Sequence, residues 1–243
     1  MKARDLFPDA TARQLLTVSG LASFDALWSL RADWHEAPNE RRGGWSGVSR
    51  HLLADGSAIF VKRQDNHLCR TPQHPLRGIP TFYREYQNIL RLHRHDIGTV
   101  EALYYGDRRE TGHWRAILVT RALDSFMSLD EWNAKAAQHV QQERQSLIAA
   151  TACACARLHH HGLQHSSLYG KHVFVRRTPK ASSAYEESDV CFIDLEKLRK
   201  RISPARVSAH DLDQLMRHTG GWSDEDWSAF RAAYRQQLSA LKG

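Results

Sequence analysis

Cysteine is scarce in this chain and none of it is paired by spacing. There are 4 cysteines, Cys69, Cys153, Cys155 and Cys191. No two form a Cys-x-x-Cys pair, and Cys153 and Cys155, two apart in a helical stretch, point to different sides. That argues against a zinc site and for free thiols in a reducing compartment. Long apolar runs are also missing. None reaches the roughly 18 residues that a membrane-spanning helix needs. The N-terminal stretch MKARDLFPDA lacks the apolar segment of a secretory signal. The expected location is the cytoplasm, with room for a peripheral place on a membrane surface. There is no internal repeat and no low-complexity tract, which argues against a solenoid. No Gly-Lys-Ser/Thr follows the glycine-rich stretch, so a Walker A loop is excluded as well.

What is present is ordinary in amount and uneven in sign. The 243 residues are 42% apolar and 25% charged. That is a soluble globular balance with enough chain for a sizeable core. Lysine and arginine number 34 against 27 acidic residues, a net charge of +7. Such a surplus suits an anionic partner: a nucleotide, a nucleic acid, an acidic membrane surface or a phosphorylated glycan. The clearest basic run, Lys197, Arg199, Lys200 and Arg201, is either a solvated face or part of such a surface.

The periodicity changes along the chain. Residues 11–30 read as a helix, and residues 40–50 as a glycine-dense stretch poor in apolar side chains. Residues 51–53 and 58–62 read as strands around an Asp55-Gly56 hairpin turn. A basic, proline-bearing loop is expected over 63–80, then a helix over 81–95 with Phe82, Tyr86, Ile89 and Leu90 at helical spacing. Strands are expected at 100–105 and 114–120. Helices follow at 128–140 and 141–161, and short strands at 173–175 and 190–193 flank a polar insertion. The stretch 208–241 reads as mostly helical. The order is a strand-rich half with one inserted helix, a hinge near residues 120–124, and a helix-rich half. This is α+β and bilobal, one domain over 1–243 with lobes of about 31–121 and 122–243.

Four features fall in an order that suits phosphoryl transfer. Gly43, Gly44, Ser46 and Gly47 precede a strand, where glycines would let backbone N–H groups approach phosphates, although a plain glycine turn reads the same way. Lys62 closes the next strand as a point charge for phosphates. Glu85, in the helix that follows, could hold the lysine ammonium. The most specific feature is the run from Leu158 to Val175 followed by Cys191-Phe192-Ile193-Asp194. It reads as a helix ending in Leu-His, a Gly-Leu turn, the lone His165, a polar loop, a strand, a hairpin and a strand closing on Asp194. Asp194 follows a buried strand, where Mg²⁺ would compensate its charge and a helix N-cap is the plainer alternative. Asp211 opens the next helix on this reading, as a brace for the loop or a plain first-turn carboxylate. The tract His159–His161 is read as a helix-end cap of the dipole rather than a metal tract.

These residues identify a resemblance. The chain resembles the lipopolysaccharide kinases of the Kdo/WaaP group, and within it the InaA-type proteins in particular. The resemblance runs from about Trp34 to about Trp227. It is carried by Asp33-Trp34, Arg41-Arg42-Gly43 with Ser46-Gly47-Val48, Val61-Lys62-Arg63, Pro80-Thr81 with Arg84-Glu85, Tyr169 with His172 and Val175, and Asp194-Leu195-Glu196-Lys197. It implies a protein-kinase-like fold and a cytoplasmic enzyme near the inner membrane. The enzyme would use ATP and Mg²⁺ to phosphorylate a sugar, heptose in the first instance, in the lipopolysaccharide inner core. The core glycolipid and the inner-membrane surface are the implied partners, and no nucleic acid is expected. The ATP site would comprise Gly43, Gly44, Ser46, Gly47, Lys62 and Thr120. Catalytic roles would fall on Asp194, Lys62, Glu85, His165 and Ser167, and the metal on Asp194 and His172.

The chain departs from the kinase pattern at one place. The usual His-Arg-Asp reads His165-Ser166-Ser167, and the metal-binding Asn five residues on is His172. Without the loop aspartate, the alternative is a pseudokinase or stress-responsive regulatory module that keeps the fold without efficient transfer. A positioned base contributes about 10²–10⁴-fold. Phosphoryl transfer through a loose transition state leans more on positioning and charge.

Overall fold

The structure is a computed structural model that describes residues 3–242 except 31–33, 42, 72–73, 111, 136–138, 180–183 and 202–203. Asp33 and Arg42 of the resemblance, and the tip of the 176–189 insertion, lie outside the described residues. The chain divides into two compact units, Met1–Leu90 with Val100–Ala122, and Arg91–Thr99 with Leu123–Gly243. The first is strand-rich and the second helix-rich, the α+β arrangement expected of a bilobal kinase-like fold.

The first unit is built on a six-stranded sheet. In chain order its strands are β1 (Arg4–Leu6), β2 (Trp34–Arg41), β3 (Gly44–Leu52), β4 (Ala58–Asp65), β7 (Ala102–Glu110) and β8 (His113–Arg121), and their spatial order is β1-β7-β8-β4-β3-β2. Every neighbouring pair is antiparallel. Residues Ala102–Asp107 of β7 are buried without a break, because both faces of the sheet are covered. On one face Tyr104 joins Ile59, Val61, Ile117 and Val119 under the helices α1 (Ala10–Val18) and α2 (Phe24–Trp28). On the other, Tyr105 stacks on Tyr86 of α3 (Thr81–His93), ring centroids 5.5 Å apart. Each fully buried Leu, Ile or Phe contributes roughly 1.5–3 kcal/mol to such a core.

Several sequence expectations are corrected here. The helix expected over 11–30 is two helices, interrupted at Gly20, whose φ is 70°. Residues before 31 belong to the first unit, since β1 pairs with β7 and both helices pack on its sheet. The glycine-rich stretch does not precede a strand. It is one: β3 starts at Gly44 and is paired on both sides, Trp45 with Glu40 and with Asp65. The basic loop expected over 63–80 is the end of β4 and a two-stranded ribbon, β5 (Leu68–Thr71) with β6 (His74–Pro80). The strand expected to end at residue 105 runs on to Glu110, with Gly106 inside β7.

The second unit has a small sheet in the order β12-β11-β9, made of Val190–Phe192, Val173–Arg176 and Phe126–Ser128. The segment after α3 lies along β12. Gly98 carbonyl accepts from Phe192 N–H at 2.9 Å, and Thr99 hydroxyl donates to Phe192 carbonyl at 2.7 Å. A Cβ on Gly98 would come within 2.0 Å of the Val190 carbonyl oxygen, so only glycine allows this approach. Helix α4 (Leu129–Ala134) starts in a capping box between Ser128 and Glu131. Helix α5 (Gln141–His160) buries Ala150, Ala152, Ala154, Cys155 and Ala156, small side chains that admit close neighbours. No disulfide joins the four cysteines. Helix α6 (Pro204–His218) and helix α7 (Asp224–Ala240) complete the unit, with the two-residue pair β10 (Leu163–Gln164) and β13 (Arg199–Lys200). Among the described residues no helix is long and apolar enough to cross a membrane.

Candidate functional site

In the first unit, Lys62 sits in β4 between Val48 of β3 and Leu118 of β8. Its Nζ lies 2.6 Å from Glu85 Oε1, with side-chain exposures of 22% and 4%. Glu85 is the fifth residue of α3, so the ion pair joins a central strand to the helix on its face. Sequence reasoning missed what aims that helix. Gln64 is two residues beyond Lys62 and therefore on the same face of β4. It is fully buried. Its Oε1 accepts from Phe82 N–H at 3.0 Å and from Thr81 hydroxyl at 2.8 Å, capping the first turn of α3. Its Nε2 donates to the His67 carbonyl. Arg63 points to the opposite face. There it donates to the carbonyls of Trp28 and Leu30, both at 2.9 Å, and lies over the Trp34 ring.

The glycines are fixed by packing within the hairpin. A Cβ on Gly44 would lie 2.4 Å from the Asp65 carbonyl oxygen, and one on Gly47 would lie 2.8 Å from the Trp34 ring. Gly43 makes the turn between β2 and β3 with φ 76°. Ser46 pairs with Asn39 and Gln64. Thr120 lies in β8 opposite Phe60, with its side chain buried.

In the second unit, one buried carboxylate organises the loop after β10. Asp211 is not at a helix start. It lies in the middle of α6 and is fully buried, which removes the reading as a plain first-turn carboxylate. Its Oδ2 accepts from His165 N–H at 2.6 Å and its Oδ1 from Ser166 N–H at 2.9 Å. His159 Nε2 lies 3.3 Å from Oδ2, and His159 Nδ1 lies 2.9 Å from Tyr234 hydroxyl. His159 is thus a buried brace and does not cap the helix dipole, a correction to the reading of that tract. Burial pushes the Asp211 carboxyl up, but the hydrogen bonds and charge of His159 and the two loop N–H groups outweigh it and hold it below the ordinary range.

Ser166 is carried at φ 70°, off the usual region for a residue with a side chain. His165 is fully buried, and its Nε2 lies 2.9 Å from the Ile193 carbonyl. A carbonyl only accepts, so Nε2 carries the hydrogen. Burial lowers the imidazole pKa to about 4, which keeps the ring neutral. Ser167 is buried, and its carbonyl lies 2.8 Å from His172 Nδ1. Ile193 N–H donates to the His172 carbonyl at 3.0 Å. Both histidines of the loop are therefore tied to the residue before Asp194.

Asp194 itself has φ 58° and ψ 54° and precedes the single-turn helix Leu195–Lys197 without a side-chain cap bond. That is a correction to the alternative reading of Asp194 as an N-cap. Its side chain is 37% exposed, so it is not an uncompensated buried charge either. Holding a non-glycine residue in this backbone region costs on the order of 1 kcal/mol, a strain found most often where function requires it. Asp194 Oδ2 lies 3.4 Å from His172 Nε2. Arg199 and Lys200 of the basic run are exposed in β13, and Arg199 donates to Ser166 hydroxyl at 3.1 Å. An open cavity of about 400 Å³ in the same unit is lined by Asp130, Asn133, Ala134, His218, Gly220 and Gly221. Burial raises the Asp130 carboxyl above its usual range there.

The structure thus brings together Lys62 with Glu85 in one unit, and His165, Ser167, His172 and Asp194 in the other. The chain is similar to Protein InaA of Escherichia coli strain K12, 32% identical over 214 residues, covering 87% of this chain and 94% of that protein. It is 25% identical over 176 residues to the lipopolysaccharide core heptose(I) kinase WaaP of Pseudomonas aeruginosa, covering 71% of this chain and 58% of that protein. Among solved structures, WaaP in complex with acyl carrier protein matches with a TM-score of 0.69 at 21% identity, covering 98% of this chain and 96% of that one. The fold is shared with that structure. The model of the lipopolysaccharide kinase (Kdo/WaaP) family matches residues 25–234, and the chain belongs to that family.

Proposed function

We propose that this chain is an ATP-dependent kinase that phosphorylates a sugar hydroxyl of the lipopolysaccharide inner core, with heptose as the acceptor. The observation that carries this reading is the Lys62–Glu85 ion pair, 2.6 Å between a central strand and its facing helix. A lysine placed by a carboxylate is a fixed point charge for nucleotide phosphates. Gly43, Gly44, Ser46, Gly47 and Thr120 would complete the nucleotide contacts of that unit. Asp194, with His172 beside it, would hold the divalent cation. The donor set fits one, since the carboxylate is part-exposed and free of a cap bond. When bound, the cation neutralises phosphate charge. The similarity to the Pseudomonas heptose(I) kinase supports heptose as acceptor. The exposed Arg199 and Lys200 suit an anionic glycolipid at the inner face of the inner membrane.

The chain's own residues then act by positioning. Asp211 holds the backbone of His165 and Ser166, and His165 and His172 hold the strand end that carries Asp194. Ser167, at the position of the loop aspartate, supplies a hydroxyl and no base. Loss of a base lowers the rate by about 10²–10⁴-fold, and slow transfer is the expected behaviour.

Ser167 is also the observation that favours the second reading, a regulatory module that keeps the fold. The test is incubation of the protein with γ-labelled ATP, a divalent cation and purified core glycolipid. Label in the lipid, lost in both Lys62→Met and Asp194→Asn, is the expected result. ATP retention with no label transferred at high protein concentration would sink the kinase reading in favour of the regulatory one.

A further inference from the structure

His172 and Asp194 form an arrangement that no contact among the described residues completes. The Nδ1 of His172 faces the Ser167 carbonyl at 2.8 Å, and a carbonyl only accepts, so Nδ1 carries a hydrogen. In the neutral ring Nε2 is then a lone pair. It faces a second acceptor, Asp194 Oδ2, at 3.4 Å. Two acceptors at that separation repel unless a proton or a cation lies with them. The His172 backbone accepts from Ile193 N–H at 3.0 Å, and Asp194 is held at φ 58°.

We infer that this pair selects a manganese-type transition ion over magnesium as the nucleotide's cation. The inference rests on the kinase reading and names the ion that reading requires. Its ground is the donor set: one imidazole nitrogen and one carboxylate oxygen. Magnesium takes hard oxygen ligands and dehydrates reluctantly, so an imidazole nitrogen adds little for it. Transition ions gain affinity from nitrogen donors, and manganese keeps the octahedral, oxygen-tolerant shell that phosphates also fill. Among the described residues no group of three or more His, Cys, Asp or Glu gathers to hold a metal. The pair alone is therefore a weak site, nucleotide oxygens must supply the rest, and a closed four-ligand zinc site is not available. A neutral amide at position 172 would offer an oxygen instead and remove the preference.

The test uses the full chain and the non-hydrolysable β,γ-imido analogue of ATP, with equilibrium dialysis of the nucleotide in Mn²⁺ or Mg²⁺. Retention is expected to be about tenfold tighter with Mn²⁺, beyond the analogue's own preference measured without protein. Electron spin-echo spectra of the Mn²⁺ complex should show modulation from a directly bound nitrogen. In His172→Asn that modulation should vanish and the metal ratio should fall to about that of the nucleotide alone. The two wild-type measurements stand without the variant. Equal retention with both ions, or a wild-type spectrum without bound nitrogen, overturns the inference and leaves a proton between the pair. So does modulation unchanged in His172→Asn. In each of these cases nucleotide binding survives, so the kinase reading stands. No retention with either ion overturns both.

Discussion

Lys62–Glu85 and His172–Asp194 are both pairs of a nitrogen base with a carboxylate, and they are built in opposite ways. The first joins two long regular elements through side chains alone, at 2.6 Å, with the carboxylate buried. The second joins two residues of irregular backbone at 3.4 Å, with the carboxylate exposed to 37%. A strand and a helix hold their own backbone hydrogen bonds, so the first pair needs only its partners. A loop has no such ladder, so the backbone around the second pair must be held by side chains: Asp211 on His165 and Ser166, His165 on Ile193, and His172 on Ser167. The first pair is in direct contact, and the second is held wider by its surroundings.

If the second region depends on its brace, breaking that brace should have the largest effect. Asp211→Asn keeps the shape but sets an amide N–H₂ against backbone donors in a fully buried place. The expected loss is about 3–5 kcal/mol, the range for removing one side of a buried charged contact. The urea midpoint measures it. A loss below about 1 kcal/mol, the level of an ordinary hydrogen bond, would show that the loop is held by other means.

The next effect is a pH dependence confined to the same region. His165 has a folded pKa of about 4, and burial is the main cause. The unfolded chain takes up a proton near the ordinary imidazole pKa of about 6.5, which the folded chain refuses until pH 4. Stability should therefore fall as pH drops from 6.5 to 4, by about 3 kcal/mol for this group. Lowered values at His51 and His161 act in the same direction. Comparison of the wild type with His165→Gln isolates the residue, since glutamine keeps a donor for Ile193. Chemical denaturation across pH 4–7 should give a shallower dependence in the variant. Parallel curves would mean that His165 charges freely in the folded protein.

The two regions also differ in how far the sequence reveals them. The helix 81–93, the strand that carries Lys62, though not its run on to Asp65, and the strands around the 176–189 insertion were legible, because each shows the apolar periodicity of an element facing a core. So was Asp194 as the residue closing a buried strand, though neither its left-handed backbone nor its exposure was. Strand β2 was not legible. Its residues from Trp34 to Glu40 are exposed at a sheet edge, so no alternation marks them. The start of β3 reads as a loop because Gly44 and Gly47 are required by close neighbours, Asp65 and Trp34, that no local pattern announces. Asp211 was misplaced by half a helix. Pro204 as the first residue of α6 was the signal that would have corrected it. Brace contacts between residues some 45 positions apart, such as Asp211 with Ser166, leave no periodicity at all.

Gln64 offers the finest test of the comparison, because it asks whether the first pair is really independent of side-chain bracing. It is buried beside Lys62 and caps the first turn of α3, one turn before Glu85. Gln64→Leu keeps the volume but leaves Phe82 N–H, Thr81 hydroxyl and the His67 carbonyl without that partner. Unsatisfied groups of this kind cost about 1–3 kcal/mol, and a loss near 2 kcal/mol is expected in urea unfolding. The more telling readout is amide exchange. If the strand and helix alone aim Glu85, the Phe82 amide should accelerate no more than global destabilisation requires. If Gln64 aims it, that amide should open locally, at least about tenfold faster than global unfolding predicts. The geometry favours the second outcome, because a helix N-terminus carries orphan donors that its own ladder never satisfies. On that result the contrast between the two pairs is one of degree. The first is held by one cap at the start of a regular element, and the second by braces at His165, Ser166, Ser167 and His172 of its loop.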